Sequence, residues 1–93
     1  AVKEKPKTNS YKEQKERASR LRKLRTAVTR LEAEIEETEA EIEALQAQLS
    51  AGADYQALMD LTAKLDAATA HRDDLYARWE SAGEELAAGE EEV

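Results

Sequence analysis

The sequence predicts an all-α fold, a two-helix antiparallel coiled-coil hairpin with helices over about 11–49 and 55–86, and three observations carry that prediction. Of the 93 residues, 58 are Ala, Glu, Lys, Leu or Arg, the composition of long helices wherever apolar residues recur periodically. The large aliphatic residues fall on two seams with spacings that alternate between three and four. The seams are separated by a short segment with turn chemistry. Disorder is the competing reading, since Leu, Ile and Val together number 15, Phe is absent and the net charge is -7. A disordered chain has no reason to keep a heptad, so periodicity decides for the hairpin.

Residues 1–9 are polar and basic, hold the single Pro and show no apolar spacing, so they read as a flexible basic linker. The run Ser10-Tyr11-Lys12-Glu13 is a capping box, in which Ser10 and Glu13 each satisfy a backbone N–H of the other. It predicts a first helix from Tyr11. Leu21, Leu24, Val28, Leu31, Ile35, Thr38, Ile42, Leu45 and Leu49 then form a two-in-seven seam, the spacing of a coiled coil. Ser50 to Asp54 interrupt it, with Gly52 suited to a left-handed C-cap and Asp54 to the next N-cap. Leu58, Leu61, Leu65, Ala68, Arg72, Leu75, Trp79, Ala82 and Leu86 make the second seam. Gly83 and Gly89 predict fraying after about Leu86. The hairpin is thus expected over residues 10–88, with 89–93 as an acidic tail.

Helices joined by so short a loop must run antiparallel to pack on each other. Folding symmetrically at Gly52 pairs residues whose numbers sum to 103: Leu45 with Leu58, Ile42 with Leu61, Leu31 with Arg72, Leu24 with Trp79 and Leu21 with Ala82. The flanking charges then meet as Arg20 with Glu85, Glu34 with His71 and Glu41 with Lys64, all complementary. A helix of about 39 residues at 1.5 Å each spans about 58 Å, so the expected shape is a rod without a catalytic cleft.

Function classes fall accordingly. Without Cys there is no disulfide framework, thiol nucleophile or Cys-bound zinc, which suits a reducing, cytoplasmic setting. No apolar run approaches the roughly 20 residues that span a bilayer, so no membrane partner is expected. The chain opens at Ala1 without Met through a polar stretch, and a piece of a longer protein is expected. The glycines Gly52, Gly83 and Gly89 form neither a phosphate loop nor a dinucleotide fingerprint. His71 is the single His and reads as a flank residue beside Glu34, so no metal and no cofactor is expected in this chain. An enzyme in its own right is not expected.

Charge carries the remaining information. Residues 1–30 hold 11 Lys and Arg against 3 Glu, while residues 31–93 hold 3 against 18 acids. From Arg17 to Arg30 there is no acid at all. Heptad position sorts these cations: Lys15, Arg22, Lys23 and Arg30 fall at b and c and Lys12 at f, away from the second helix. Arg22, Lys23 and Arg25 have no acid three or four residues away on their own helix. Lys12, Lys15, Arg22, Lys23, Arg25 and Arg30 therefore form a ridge of point charges that can meet successive phosphates of DNA or RNA. With Tyr11 as the lone exposed aromatic candidate, base stacking is not indicated. Charge alone leaves two readings open, a phosphate-binding ridge and a solvated coiled-coil flank.

The opening Ser10-Tyr11-Lys12-Glu13-Gln14, the Arg/Lys-rich turns after it, Leu-Glu-Ala-Glu-Ile-Glu at 31–36 and Leu75-Tyr76-Ala77-Arg78-Trp79-Glu80 resemble the C-terminal domain of ABC-F ATPases of the Uup type. The likeness covers roughly residues 8–86. It implies a soluble two-helix antiparallel coiled coil attached by a charged linker after two tandem ATP-binding cassettes, so ATP binding and hydrolysis would belong to the parent protein; the short loop and the single offset lead to the expectation of a monomer. It also implies DNA binding, with contact to ribosomal RNA as the companion expectation because ABC-F proteins act on the ribosome. The segment Ser50 to Asp54 departs from the family, being short and without a basic residue, which shifts the expected contacts toward the linker end. The alternative is an interaction or spacer hairpin that docks on protein, including its own ATPase domains.

Overall fold

The computed structural model describes the backbone of residues 4–91 and the side chains of residues 10–91. Two helices, α1 (Glu4–Ser50) and α2 (Tyr55–Glu91), run antiparallel and pack along one another. The result is a rod of 79 × 15 × 14 Å. Neither helix is long and apolar enough among the described residues to cross a membrane.

Helix α1 starts earlier than expected, at Glu4 and not at Tyr11, so the Ser10/Glu13 box lies inside the helix. Pro6 is compatible with this because it falls in the first turn, where backbone N–H groups have no intrahelical partner anyway. Residues 1–3 of the expected linker lie outside the described residues. At the other end α1 closes as the sequence predicts. Gly52 takes φ +87°, and its N–H reaches the Leu49 carbonyl at 3.3 Å. Asp54 caps α2: its Oδ1 accepts from the Ala57 N–H at 2.9 Å, and its carbonyl accepts from Leu58 at 2.9 Å. Helix α2 runs on through Gly89 to Glu91, past the fraying point expected after Leu86.

Both seams face the interface. Leu21, Ile35, Thr38, Ile42, Leu45, Ala68 and Leu75 are buried, and Leu75 is fully so at 0 % exposure. Ile42, Leu45 and Ala68 form one cluster with Leu61 and Leu65 packed on it.

The register differs from the symmetric one by a heptad. A Cβ built on Gly89 would stand 2.6 Å from Leu21 Cδ2, so Leu21 faces Gly89, not Ala82, and facing residues sum to 110 instead of 103. Two flank contacts agree. The Tyr76 hydroxyl donates to Glu39 at 2.9 Å, and Arg25 pairs with Glu90 at 3.8 Å. The Trp79 Nε1–H donates to Glu32 at 3.2 Å, which sets Trp79 beside Leu31, not Leu24. Consequently Arg20 and Glu85, Glu34 and His71, and Glu41 and Lys64 are not ion-paired.

The cause is physical. Sliding a heptad seam by seven residues again sets apolar against apolar, so the seams alone cannot choose between registers. In the observed register Thr38 lies level with Arg72, joining the polar interruptions of the two seams in one layer. The symmetric fold would split them over two layers, each setting a polar side chain against Leu. The chain also climbs through Ala51–Asp54 before it reverses, so the first turn of α2 overhangs the end of α1. Leu58, a seam residue, is therefore left 36 % exposed.

Candidate nucleic-acid interface

With Leu21 opposite Gly89, the last described residues of α2 lie level with about Ser19. The first part of α1, from Glu4 to about Glu16, projects past them as a single helix. Its seam positions are Ser10 and Gln14, neither of which offers an apolar face to pack, while Arg17, the next seam position, is half-buried beside the end of α2. Gln14, which the heptad assigned to the seam, is accordingly exposed.

The six expected contacts divide between these two regions. Lys12 and Lys15 stand exposed on the single-helix projection, whereas Arg22, Lys23, Arg25 and Arg30 stand exposed on the paired part. Arg22, Lys23 and Arg30 rim one shallow hollow on the outer face of α1, with Thr26 and Ala27 between them and Ser19 at its N-terminal end. No residue of α2 takes part in that hollow. Arg25 belongs elsewhere. It lies at the edge of the interface, shares a second hollow with Arg17, Arg22 and Glu90, and meets the Glu90 carboxylate.

A third hollow joins the helices around Arg20, Leu24, Glu85 and Gly89. Arg20 and Glu85 border it without forming the ion pair that the symmetric register assigned to them. The Arg25–Glu90 pair could have been read from the sequence once the register was right, because both residues then occupy e positions that meet across the seam. Ser19 and Thr26 gave no such signal. Small polar residues at f positions are ordinary on a solvated helix, so nothing marked them out, although helical spacing alone sets them on the face of Arg22, Lys23 and Arg30.

What this face can do chemically is limited and definite. It offers donors and positive charge and no nucleophile or general base. Among the described residues no three His, Asp or Glu side chains gather as metal ligands. Among the described residues the Tyr76 hydroxyl is the one group whose acidity moves clearly: its hydrogen bond to Glu39, with the desolvation and the Glu39 charge beside it, raises its pKa above the usual value. That hydroxyl lies on the opposite helix from the ridge and serves the interface.

Comparison with characterised proteins finds no match, and comparison with solved structures finds none either. A family model does match, over residues 8–88, and its description is the ABC transporter C-terminal domain. The matched span takes in most of the projection of α1, the loop and nearly all of α2, and with them every residue of the ridge; the chain belongs to the ABC transporter C-terminal domain family.

Proposed function

We propose that this hairpin is the nucleic-acid-binding accessory domain of an ABC-F ATPase, contacting phosphates of DNA or ribosomal RNA through Lys12, Lys15, Arg22, Lys23, Arg25 and Arg30. One observation carries the reading: an exposed face of α1 that holds no acid from Arg17 to Arg30. Such a face neutralises successive phosphates with little regard to base sequence. Arg25 contributes least, because Glu90 competes for it. The domain itself catalyses nothing, ATP hydrolysis belongs to cassettes elsewhere in a cytoplasmic parent, and the hairpin is monomeric.

A second reading, docking on protein including the parent's own ATPase domains, draws on a different part of the rod. Tyr55 (76 % exposed), Leu58 and Met59 (52 %) lie at positions i, i+3 and i+4 on the first turn of α2. They make an apolar tip with Asp54 and Asp60 nearby and no cation, a surface suited to protein and not to phosphate.

Titrating the hairpin with labelled duplex DNA and with a ribosomal RNA fragment at rising salt tests the first reading. The logarithm of the binding constant should fall linearly with log salt, with a slope of about -0.9 for each phosphate neutralised on B-DNA. Arg22→Glu/Lys23→Glu should abolish binding with helicity intact by circular dichroism. No binding at low salt, or binding that survives the double charge reversal, overturns it.

A further inference from the structure

The hollow on the outer face of α1 is more than a gap between long side chains. Ser19, Arg22, Lys23, Thr26, Ala27 and Arg30 follow one another at i, i+3, i+4, i+7, i+8 and i+11, one straight face of a helix. The cations have long stems and the other residues of the face are short, Thr26 and Ala27 lying between Lys23 and Arg30 and Ser19 one turn before Arg22 and Lys23, so charge stands up beside a low floor. That floor carries two hydroxyls. Ser19 and Thr26 sit seven residues apart, two helical turns or roughly 10 Å along the axis. Neither makes a side-chain hydrogen bond among the described residues. Thr26 is exposed and Ser19 half-buried, and both hydroxyls keep their donors.

We propose that Ser19 and Thr26 complete a seat for phosphodiester groups of double-stranded nucleic acid, the hydroxyls donating to phosphate oxygens that Arg22, Lys23 and Arg30 surround. The proposal rests on the nucleic-acid reading above and deepens it by assigning neutral contacts and a ligand class. A low floor matters because a phosphate must approach the helix surface to reach a hydroxyl while the flanking guanidinium and ammonium groups close on its other oxygens. Duplex is favoured over single strand by what the face lacks. A single strand is held by bases stacked on aromatic rings, and this hollow holds no ring. The projection's Tyr11, though exposed, is eight residues from Ser19. A straight rigid row of donors suits a backbone that is itself regular.

The roles of hydroxyl and cation separate in one titration. Fluorescence anisotropy with a labelled 20-base-pair duplex, and with a matching single strand, is run on the wild type, Ser19→Ala/Thr26→Ala, Thr26→Leu and Arg22→Gln/Lys23→Gln. Removing both hydroxyls should weaken duplex binding about a hundredfold, about tenfold for each charge-assisted hydrogen bond, and leave the salt slope unchanged because no counterion-releasing charge is lost. Thr26→Leu, which raises the floor and keeps the helix, should weaken duplex binding at least as much. Arg22→Gln/Lys23→Gln should lower the slope by nearly two contacts. If Ser19→Ala/Thr26→Ala and Thr26→Leu bind as wild type while the Gln variant is weakened, the seat is refuted and the ridge stands. If the Gln variant is also unaffected, ridge and seat fall together. Tighter binding of the single strand than of the duplex overturns the ligand class.

Discussion

At the scale of single residues, the contacts that hold α2 in place are few and polar as well as apolar. Tyr76 and Trp79 stand edge to face, 6.3 Å apart at 89°, and each donates a hydrogen bond to a Glu of α1, Tyr76 to Glu39 and Trp79 to Glu32. The Tyr76 bond gives a pH signature. Because the bond favours the protonated phenol, the folded-state pKa lies above the unfolded value of about 10. A raised pKa means that the contribution of this bond to stability is fully present below the unfolded value and is lost as pH rises through the folded one. Ultraviolet difference titration of wild type against Tyr76→Phe isolates this group. Its midpoint should lie above 10 and move down in Glu39→Gln, which removes the charge that holds the proton; an unmoved midpoint would show that the bond is absent in solution.

At the scale of the helices, the observed register is the feature most open to test and the one least legible in the sequence. The chain has no native Cys, so pairs can be introduced without background. Leu21→Cys/Gly89→Cys should oxidise to an intramolecular disulfide, since the Cβ position of Gly89 already meets the Leu21 side chain. Leu21→Cys/Ala82→Cys, the pair that the symmetric fold favours, should stay reduced under the same conditions. Reversal of these outcomes on a non-reducing gel would restore the symmetric register. Helix existence, the Gly52 and Asp54 caps and the identity of the seam residues were all legible, because each depends on neighbours within a turn or two. The offset was not, because heptad seams repeat every seven residues and the deciding features lie far apart in the chain. Thr38 and Arg72 were the usable clue: two polar seam positions that one offset alone sets level. The early start of α1 was hidden for the opposite reason, since Pro6 reads as a breaker unless it is placed in the first turn. Of the candidate site, the cations were legible as residues and as a helix face. The loss of Arg25 to Glu90 needed the fold, whereas Ser19 and Thr26 share the face of Arg22, Lys23 and Arg30 by helical spacing alone.

At the scale of the whole molecule, the hairpin keeps its fold and its charge on separate structural elements. The seam that joins the helices is apolar apart from the Thr38/Arg72 layer, and the interhelix ion pair Arg25–Glu90 is exposed at both partners, where such pairs contribute at most about 1 kcal/mol. Salt should therefore leave the rod intact while it screens the ridge. Small-angle scattering can read the first half of that statement. The rod has a radius of gyration of 21.8 Å, against about 12 Å for a globular chain of this length. The value should remain near 21.8 Å, with a forward-scattering mass near 10.4 kDa, across the range of about 50 to 200 mM salt over which phosphate contacts weaken by orders of magnitude. A mass of twice that figure would replace the intramolecular hairpin with a dimer. A radius that grows with salt would mean that charge pairing, not the seam, closes the helices, and the ridge could then not be discharged by nucleic acid without opening the fold. Stability against salt is what allows a hairpin with net charge -7 to offer a cationic face: the acids that outnumber its cations lie on α2 and the distal half of α1, held at a distance by an interface that does not depend on them.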